Sequence, residues 1–319
     1  MRRLGLLALL LACAPLGAME RCVWRDEFNG EQLDTRYWTP ELNFVRNVNA
    51  VQIYTDRPKN LYVKSGTIRF ASWFETFANT AWKPQSPRWF ENRKQADYTS
   101  GSINSRGKVA FRYGRVEIRA RIDHGRGVWP ALWLIGNNPG GWPACGEIDI
   151  LEYVSQNPRT VHATFHYMQN GQYRHPTRPH DAGQPLHGKW HLYGMNWTPE
   201  KIELTFDRKV IHTLPLDSTV GKDGTTPFRN GTFHFILNQA IGGDWAERPD
   251  PKDYPRTFAV DYIRLYQDPA VPGTLLELPK SDPSASARSD RPGPGKGAPR
   301  PAFSKRPAST PKRISPKKR

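Results

Sequence analysis

The stretch G-W-P-A-C-G-E-I-D-I-L-E, residues 141–152, decides the fold. Its three acids, Glu147, Asp149 and Glu152, lie within six positions, and the residues between them are apolar and mostly β-branched. This alternation predicts a β-strand with one acidic face and one apolar face. In a regular strand, Glu152 would point into the core, where an unpaired carboxylate costs several kcal/mol. One extra residue at 150–151, a β-bulge, returns Glu152 to the acidic face.

A row of three carboxylates suits a particular kind of chemistry. Like charges about 5–7 Å apart repel, so the pKa of at least one group should rise. Hydrolysis of a glycosidic bond with retention needs one ionised and one protonated carboxyl group about 5–5.5 Å apart. The alternative is a solvated outer face of an edge strand. Trp129, Trp133 and Trp142 lie just upstream, and aromatic side chains beside carboxylates favour a sugar-binding cleft.

Longer segments carry a family resemblance. V-W-P-A-L-W-L-I-G (128–136) and W-P-A-C-G-E-I-D-I-L-E-Y-V (142–154) resemble glycoside hydrolase family 16. They are most similar to its laminarinase-like branch of endo-β-1,3-glucanases, which has the bulged E-x-D-x-x-E where lichenases have E-x-D-x-E. Four further segments, 98–121, 197–202, 237–245 and 260–267, resemble the family in its order. The resemblance covers roughly residues 24–267 and implies an all-β jelly roll of the concanavalin A-like kind, whose concave sheet lines a sugar-binding cleft.

The pattern of strands and turns agrees with this fold class. No stretch holds a helical period beyond two turns, and runs bounded by Gly, Pro, Asn and Asp predict many strands. Many strands without helices indicate a β-sandwich or jelly roll. The predicted strands are 23–28, 61–70, 114–122, 131–136, 147–154, 162–167, 191–197, 202–206, 233–239 and 260–267.

The resemblance also implies roles for residues. Glu147 is expected to be the nucleophile, Glu152 the acid/base and Asp149 the residue that orients the nucleophile, with no cofactor needed for catalysis. Alternation suggests that Trp129 and Trp133 need not both face the cleft. The expected substrate-binding residues are Trp129, Trp133, Trp142, His166, Asn238 and Trp245, although either upstream Trp could belong to the core and His166 could be structural.

A structural calcium ion is a further implication of the resemblance. Glu27, Gly66 and Asp261 match positions where many family members hold calcium on the convex face. Oxygen ligands suit Ca²⁺, and two of these would be backbone carbonyl groups. The sequence therefore gives a calcium site only as an expectation.

Two departures from the family pattern weaken the β-1,3-glucan assignment. Laminarinases usually carry Glu where this chain has Ala50, and they often carry Arg where it has Ser102. The first hypothesis is a retaining endo-hydrolase of β-glucan with β-1,3 or mixed β-1,3-1,4 linkages. Alternatives are an agarase-type hydrolase or a transglycosylase acting on envelope glucan. A non-catalytic glucan-binding protein is disfavoured, because all three acids are present.

The ends of the chain differ from its body. Residues 1–18 predict a signal peptide, with two basic residues before an apolar run, and Cys13 lies in a lipobox-like sequence. The protein is therefore expected to be exported, as a periplasmic, secreted or lipid-anchored protein. Residues 19–268 are the expected catalytic domain. Residues 269–319 hold eleven of the 29 prolines and predict a disordered basic tail. Export leaves open whether Cys22 and Cys145 form a disulfide or stay as thiols.

The net charge of +16 does not predict a nucleic-acid partner. Residues 269–319 carry 12 basic and 3 acidic residues, so most of the excess lies in the tail. The tail could contact anionic envelope surfaces. We expect a polysaccharide substrate, no nucleic acid and a monomer. The connection 71–97 holds six large aromatic residues and is expected to be either a cleft wall or a loop packed on its own aromatics.

Overall fold

The computed structural model describes residues 20–46 and 49–279. The predicted signal peptide 1–18 with Cys13, and the tail from residue 280 onward, lie outside the described residues. Within the described part, no helix reaches the length and hydropathy that a membrane span requires.

The described chain is built almost entirely of strands, with two four-residue α-helices, α1 (Trp89–Asn92) and α2 (Pro227–Asn230). The strands are β1 (Arg21–Asp26), β2 (Thr39–Pro40), β3 (Gln52–Tyr54), β4 (Leu61–Val63), β5 (Ile68–Ala78), β6 (Gln95–Ser100), β7 (Ser102–Asn104), β8 (Ala110–Arg112), β9 (Gly114–Arg121), β10 (Val128–Gly136), β11 (Glu147–Glu152), β12 (Thr160–Gln169), β13 (Gln172–Arg174), β14 (Thr177–Asp181), β15 (Trp190–Trp197), β16 (Lys201–Phe206), β17 (Lys209–Pro215), β18 (Phe233–Ile241), β19 (Arg256–Gln267) and β20 (Leu275–Glu277).

The strands form two sheets. The outer sheet has the order β17-β16-β15-β9-β19-β5-β6-β3, with β1 on β19 and β4 on β5. The inner sheet has the order β13-β12-β11-β10-β18-β7-β2, with β14 on β12 and β8 between β18 and β20. All pairings are antiparallel except that of β3 with β6. The predicted all-β jelly roll is confirmed.

The core fills the space between the sheets. On β9, every second residue (Val116, Ile118, Ala120) is buried, which is the period of a strand with one face inward. The apolar residues of β11, including Ile148 and Ile150, are fully buried beneath the acids of the same strand. Each large apolar side chain that is removed from water contributes about 1.5–3 kcal/mol, so this packing holds β11 in place.

The predicted strand 61–70 is wrong as a single strand. It is a hairpin of β4 and β5, joined by the turn 64–67, in which Gly66 has φ +67°. Both predicted bounds of the long connection 71–97 are also wrong, because β5 continues to Ala78 and β6 begins at Gln95. Only residues 79–94 join the two strands. Around them, Phe44, Ile53 and Ala96 form a small second core, against which Phe77, Trp89 and Phe90 pack.

The predicted boundary at residue 268 is too early. Strand β20 pairs with β8, and Leu276 packs against the main core. The Gln267 side chain donates a hydrogen bond to the Leu275 carbonyl (2.9 Å), and Arg112 Nε donates one to the Gly273 carbonyl (2.8 Å). Composition alone did not show this, because the pairing partner of β20 lies more than 160 residues earlier in the chain.

The two cysteines of the described domain are free thiols. Cys22 lies on β1 of the outer sheet, and Cys145 is buried just before β11 of the inner sheet. Of the two alternatives, a disulfide or two separate thiols, the structure therefore has two separate thiols.

We predict that two truncated chains will differ in stability. A chain that ends at residue 279 keeps β20 and should melt at the same temperature as the full chain. A chain that ends at residue 268 exposes the edge of β8 and loses the partners of Gln267 and Arg112, so its melting temperature should fall by several degrees. Differential scanning calorimetry measures both. Equal melting temperatures would contradict the assignment of 269–279 to the domain.

Candidate active site

The three acids of β11 lie on one face of the inner sheet. Between Asp149 and Glu152, the register of β11 against β12 shifts, so the predicted bulge is present. Glu147, Asp149 and Glu152 stand opposite Ile135, Trp133 and Ala131 of β10, which are alternate residues and therefore share a face. The bulge allows two apolar residues to remain buried while all three carboxyl groups face the cleft.

Burial changes the acidity of this row. The Glu147 and Asp149 side chains are 15% and 4% exposed. Burial, followed by the charge of Asp149, raises the pKa of Glu147 to about 8. Burial also raises the pKa of Asp149, and burial together with its two acidic neighbours raises that of Glu152. The three groups therefore cannot all be ionised at neutral pH, and the row can supply one charged and one protonated carboxyl group.

Polar neighbours distinguish the two ends of the row. The Trp129 indole N–H donates a hydrogen bond to Glu152 Oε1 (3.1 Å). At the other end, His166 Nε2 lies 3.0 Å from Asp149 Oδ2 and 3.6 Å from Glu147 Oε1. The Coulombic effect of His166 lowers the pKa of both Glu147 and Glu152, but two acidic neighbours raise the pKa of Glu152 and only one raises that of Glu147. The Glu147 end is thus the one where a negative charge is best supported.

Aromatic and amide side chains form the floor of the cleft. Both Trp129 and Trp133 face it, because they are four residues apart on one strand; the suggestion that they need not both do so is wrong. The Trp133 N–H donates to Asn238 Oδ1 (2.8 Å), and Asn238 Nδ2 donates to the Tyr54 hydroxyl group (3.1 Å). Trp245 packs edge-on against Trp129, with ring centroids 5.2 Å apart.

The cleft has a volume of about 420 Å³. Its lining residues are Val45, Arg46, Trp89, Trp129, Ala131, Trp133, Ile135, Trp142, Glu147, Asp149, Glu152 and Asn238. Trp142, which is 55% exposed, stands beside His166 at one side, with ring centroids 6.1 Å apart. Trp245 and His166 are not in direct contact with this space but support residues that are. The structure therefore brings the six expected binding residues to one region of the inner sheet.

Sequence reasoning missed Arg46. Its guanidinium group pairs with Glu41 (2.6 Å), donates to Ser102 Oγ (3.1 Å) and lies 5.0 Å from the centre of the Trp133 ring. A guanidinium group therefore stands beside Ser102, the position where laminarinases often carry Arg. No local pattern marks this pair, because positions 46 and 102 are 56 residues apart.

The described side chains offer one cluster with metal-ligand geometry. Among the described residues, one group of three or more acids or histidines has ligating atoms within 4.8 Å of one another, namely Glu147, Asp149 and His166, and these already face each other across the row. The residues expected to hold calcium do not offer free carboxylates. Both oxygens of Glu27 accept from Arg264 (2.7 and 2.9 Å).

Asp261 is engaged in the same way, because it accepts from Arg119 (2.6 Å). Any calcium ion at Glu27, Gly66 and Asp261 would sit beside two guanidinium groups, and the carboxylates do not fit as its ligands. The calcium site stays a prediction that these contacts do not support.

The jelly roll and the carboxylate row in an open aromatic cleft define the class of protein, which is a polysaccharide-cleaving glycosidase. The model of Glycosyl hydrolases family 16 matches residues 41–264. The chain belongs to this family.

Three similar proteins illustrate the range of the family. The chain is 31% identical to Glucan endo-1,3-beta-glucosidase A1 of Niallia circulans over 77% of its own length, but it spans only 38% of that relative. It is 32% identical to the Beta-glucanase of Rhodothermus marinus, over 84% of this chain and 95% of the relative. One solved structure is described as an endo-acting O-glycanase that prominent members of the human gut microbiota express to initiate mucin breakdown. It is 39% identical, has a TM-score of 0.76, and the match covers 80% of this chain and 93% of that one.

We predict that Glu147→Gln stabilises the fold more at pH 8 than at pH 5. An acid whose pKa rises from 4.5 to about 8 on folding loses stability as the pH rises between these values, whereas Gln does not titrate. One pKa unit is about 1.4 kcal/mol. The melting temperature of the variant, relative to that of the wild type, should therefore rise by at least about 2–4 °C across this range.

Thermal melts at both pH values measure this difference. The control is Glu31→Gln at an exposed position, which should give the same difference from wild type at either pH. A difference for Glu147→Gln that is independent of pH would contradict the raised pKa.

Proposed function

We propose that this protein is a retaining, endo-acting hydrolase of β-glucan with β-1,3 or mixed β-1,3-1,4 linkages. The observation that carries the proposal is the row of three carboxyl groups on one face of β11, in a cleft open to solvent. Similar proteins named endo-1,3-beta-glucosidase and endo-1,3-1,4-beta-glycanase support the endo-acting part of the proposal.

The first step forms a glycosyl-enzyme. With a pKa of about 8, Glu147 is ionised in a minority of molecules at neutral pH, and this form is the one that reacts. Its carboxylate attacks the anomeric carbon, the glycosidic C–O bond breaks, and Glu152 donates its proton to the departing oxygen. His166 and Asp149 lie beside the attacking carboxylate, so they orient it and help set its charge. The raised pKa of Glu152 provides a group that holds a proton at neutral pH.

The second step releases the sugar. Glu152, now ionised, removes a proton from water; the water oxygen bonds to the anomeric carbon, and Glu147 leaves as a carboxylate. The indole N–H of Trp129 donates to Glu152 Oε1 and supports its ionised form after the first step. The sugar therefore leaves with its original anomeric configuration. These steps use side chains of the chain alone.

A second candidate is an endo-acting hydrolase of a different chain, of the agarase type or of the mucin O-glycan type. Ala50 and Ser102 depart from the laminarinase pattern, and Trp89 enters the cleft wall from the segment 79–94. The O-glycanase structure, at 39% identity, favours the same alternative. A transglycosylase acting on envelope glucan would use the same two steps, with a sugar hydroxyl group in place of water.

We further propose that the protein is exported, on the strength of the sequence of residues 1–18, and that it acts as a monomer. The periplasm, secretion and a lipid anchor at Cys13 are all consistent with that sequence. The basic residues beyond 279 would favour contact with anionic envelope surfaces.

We predict that a panel of polysaccharides will separate the candidates. Laminarin, lichenan, agarose, carrageenan and mucin O-glycans are incubated with the protein, and products are sized by mass spectrometry. Internal cleavage of laminarin or lichenan is the expected result. Exclusive cleavage of a galactose-based or mucin chain would replace the β-glucan proposal, and products longer than the starting oligosaccharide would show transfer. Glu147→Gln is the inactive control.

We predict that azide will give different products with the two alanine variants. It should restore turnover to Glu152→Ala with one anomer of the glycosyl azide, and any product from Glu147→Ala should be the other anomer. With an aryl β-glycoside, Glu152→Ala still forms the glycosyl-enzyme, because a good leaving group needs little protonation, but it lacks the base for water. Azide needs no base, so it should release a β-glycosyl azide. In Glu147→Ala, azide can only attack directly and should give the α-azide.

Nuclear magnetic resonance of the product distinguishes the two anomers. An α-azide from Glu152→Ala would reverse the assigned roles. Release of inverted sugar by the wild type would remove the retaining mechanism.

A further inference from the structure

One residue at the active site has no assigned role. Tyr173 lies on β13, which folds back on β12 as a short hairpin and pairs Tyr173 with Met168. Its hydroxyl group is 2.5 Å from His166 Nδ1, and its ring is stacked on the His166 ring, with centroids 5.8 Å apart and planes at 12°. On the other ring nitrogen, His166 Nε2 lies 3.0 Å from Asp149 Oδ2 and 3.6 Å from Glu147 Oε1, and Asp149 Oδ2 has no hydrogen-bond partner among the described residues. Tyr173 therefore contacts the catalytic row through a single imidazole ring.

The two nitrogens of His166 cannot be treated independently. A neutral imidazole carries one N–H, and the hydrogen bond at one nitrogen decides which nitrogen holds the proton. If Nδ1 held it, the Nε2 lone pair would point at the oxygens of Asp149 (3.0 Å) and Glu147 (3.6 Å), which is repulsive when these are ionised. If Tyr173 donates to Nδ1, the proton is on Nε2 and faces the carboxylates.

We propose that Tyr173 is a positioning residue: its hydroxyl group holds the His166 ring so that a protonated Nε2 stays beside Asp149 and Glu147. This proposal rests on the hydrolytic function proposed above, because the two carboxyl groups belong to that site. When His166 is charged, the same hydroxyl group accepts from Nδ1–H, so the ring keeps one orientation in both protonation states. The Nε2–H then supports the ionised form of the nucleophile.

The surroundings of Tyr173 suit this task. Burial, with the nearby acids of β11, raises the pKa of Tyr173 to about 12, so the hydroxyl group keeps its proton at neutral pH. The ring is held on one side by His175, with centroids 5.0 Å apart, and Trp142 lies 5.4 Å away. Tyr173 is 42% exposed, and these ring contacts favour the orientation in which its hydroxyl group meets His166.

The charged and titratable groups around His166 come from three directions. They are Glu147, Asp149 and Glu152 of β11, Tyr173 and His175 of the hairpin, and Arg46 from across the cleft, which acts on Glu147. Whichever of these acids is ionised favours a proton on Nε2, and only Tyr173 forms a hydrogen bond with Nδ1 among the described contacts.

The test is Tyr173→Phe, which keeps the ring and its stacking but removes the hydroxyl group. We expect kcat/KM on the best polysaccharide to fall roughly three- to tenfold, as for the loss of one hydrogen bond, mainly through kcat. The acid limb of the kcat/KM profile should move to higher pH, because the ionised form of Glu147 loses the favourable charge distribution of a fixed imidazole 3.6 Å away. Tyr62→Phe on β4 of the outer sheet is the matched control and should leave both unchanged.

A second readout does not depend on activity. Nitrogen-15 spectra of histidine-labelled protein report which imidazole nitrogen is protonated, and His166→Gln identifies the His166 signals among those of nine histidines. We expect Nε2–H with an acceptor Nδ1 in the wild type and a different or mixed tautomer in Tyr173→Phe. A folded Tyr173→Phe with the wild-type tautomer and the wild-type pH profile would overturn the proposal.

Two failures remain distinguishable. If the wild type cleaves none of the polysaccharides, the proposed function fails, and the spectra alone then decide the role of Tyr173. If the wild type is active but Tyr173→Phe matches it in every readout, the hydrolytic function stands and the positioning role is rejected.

Discussion

The constraint on which the structure depends is the burial of three acidic groups in one row. Glu147, Asp149 and Glu152 share a face of β11, while the residues between them fill the core. Burial and mutual repulsion raise the pKa of each acid. A strand can meet both demands only with the bulge, because a regular alternation would send Glu152 into the core. The bulge is thus a condition of the fold and of the chemistry together.

The neighbouring strands convert this unfavourable row into a site. Strand β10 provides the Trp129 N–H for Glu152, and β12 provides His166 for the other two acids. Because both strands pair directly with β11, their side chains are placed by backbone register and not by mobile loops. A site that costs stability is thus held by paired strands on both sides, which favours a fixed geometry.

Features that depend on residues close together in the sequence could be predicted, and those that depend on distant residues could not. Strand positions, the bulge and the common face of the acids depend on a period of two residues and were predicted. Arg46 beside Ser102 and the pairing of β20 with β8 depend on contacts 56 and about 160 residues apart, so no local pattern showed them. The hairpin that carries Tyr173 was also missed, because its three exposed residues give no burial pattern. The predicted connection 71–97 is too long at its first end, because residues 73–78 alternate in exposure as the end of β5.

Residues close together in the sequence carry the chemistry, whereas residues from distant segments line the cleft walls that contact the substrate. The three carboxyl groups lie within six positions of one strand. Similar proteins with different names, such as a β-glucanase and an O-glycanase, can therefore share them. The cleft walls come from elsewhere: Arg46 from the segment before β3, and Trp89 from the 79–94 connection. A change in either wall leaves the register of β10, β11 and β12 untouched, because neither belongs to those strands. Substrate preference can therefore vary in this fold while the hydrolytic machinery stays the same, and the walls are where the preference of this chain must be sought.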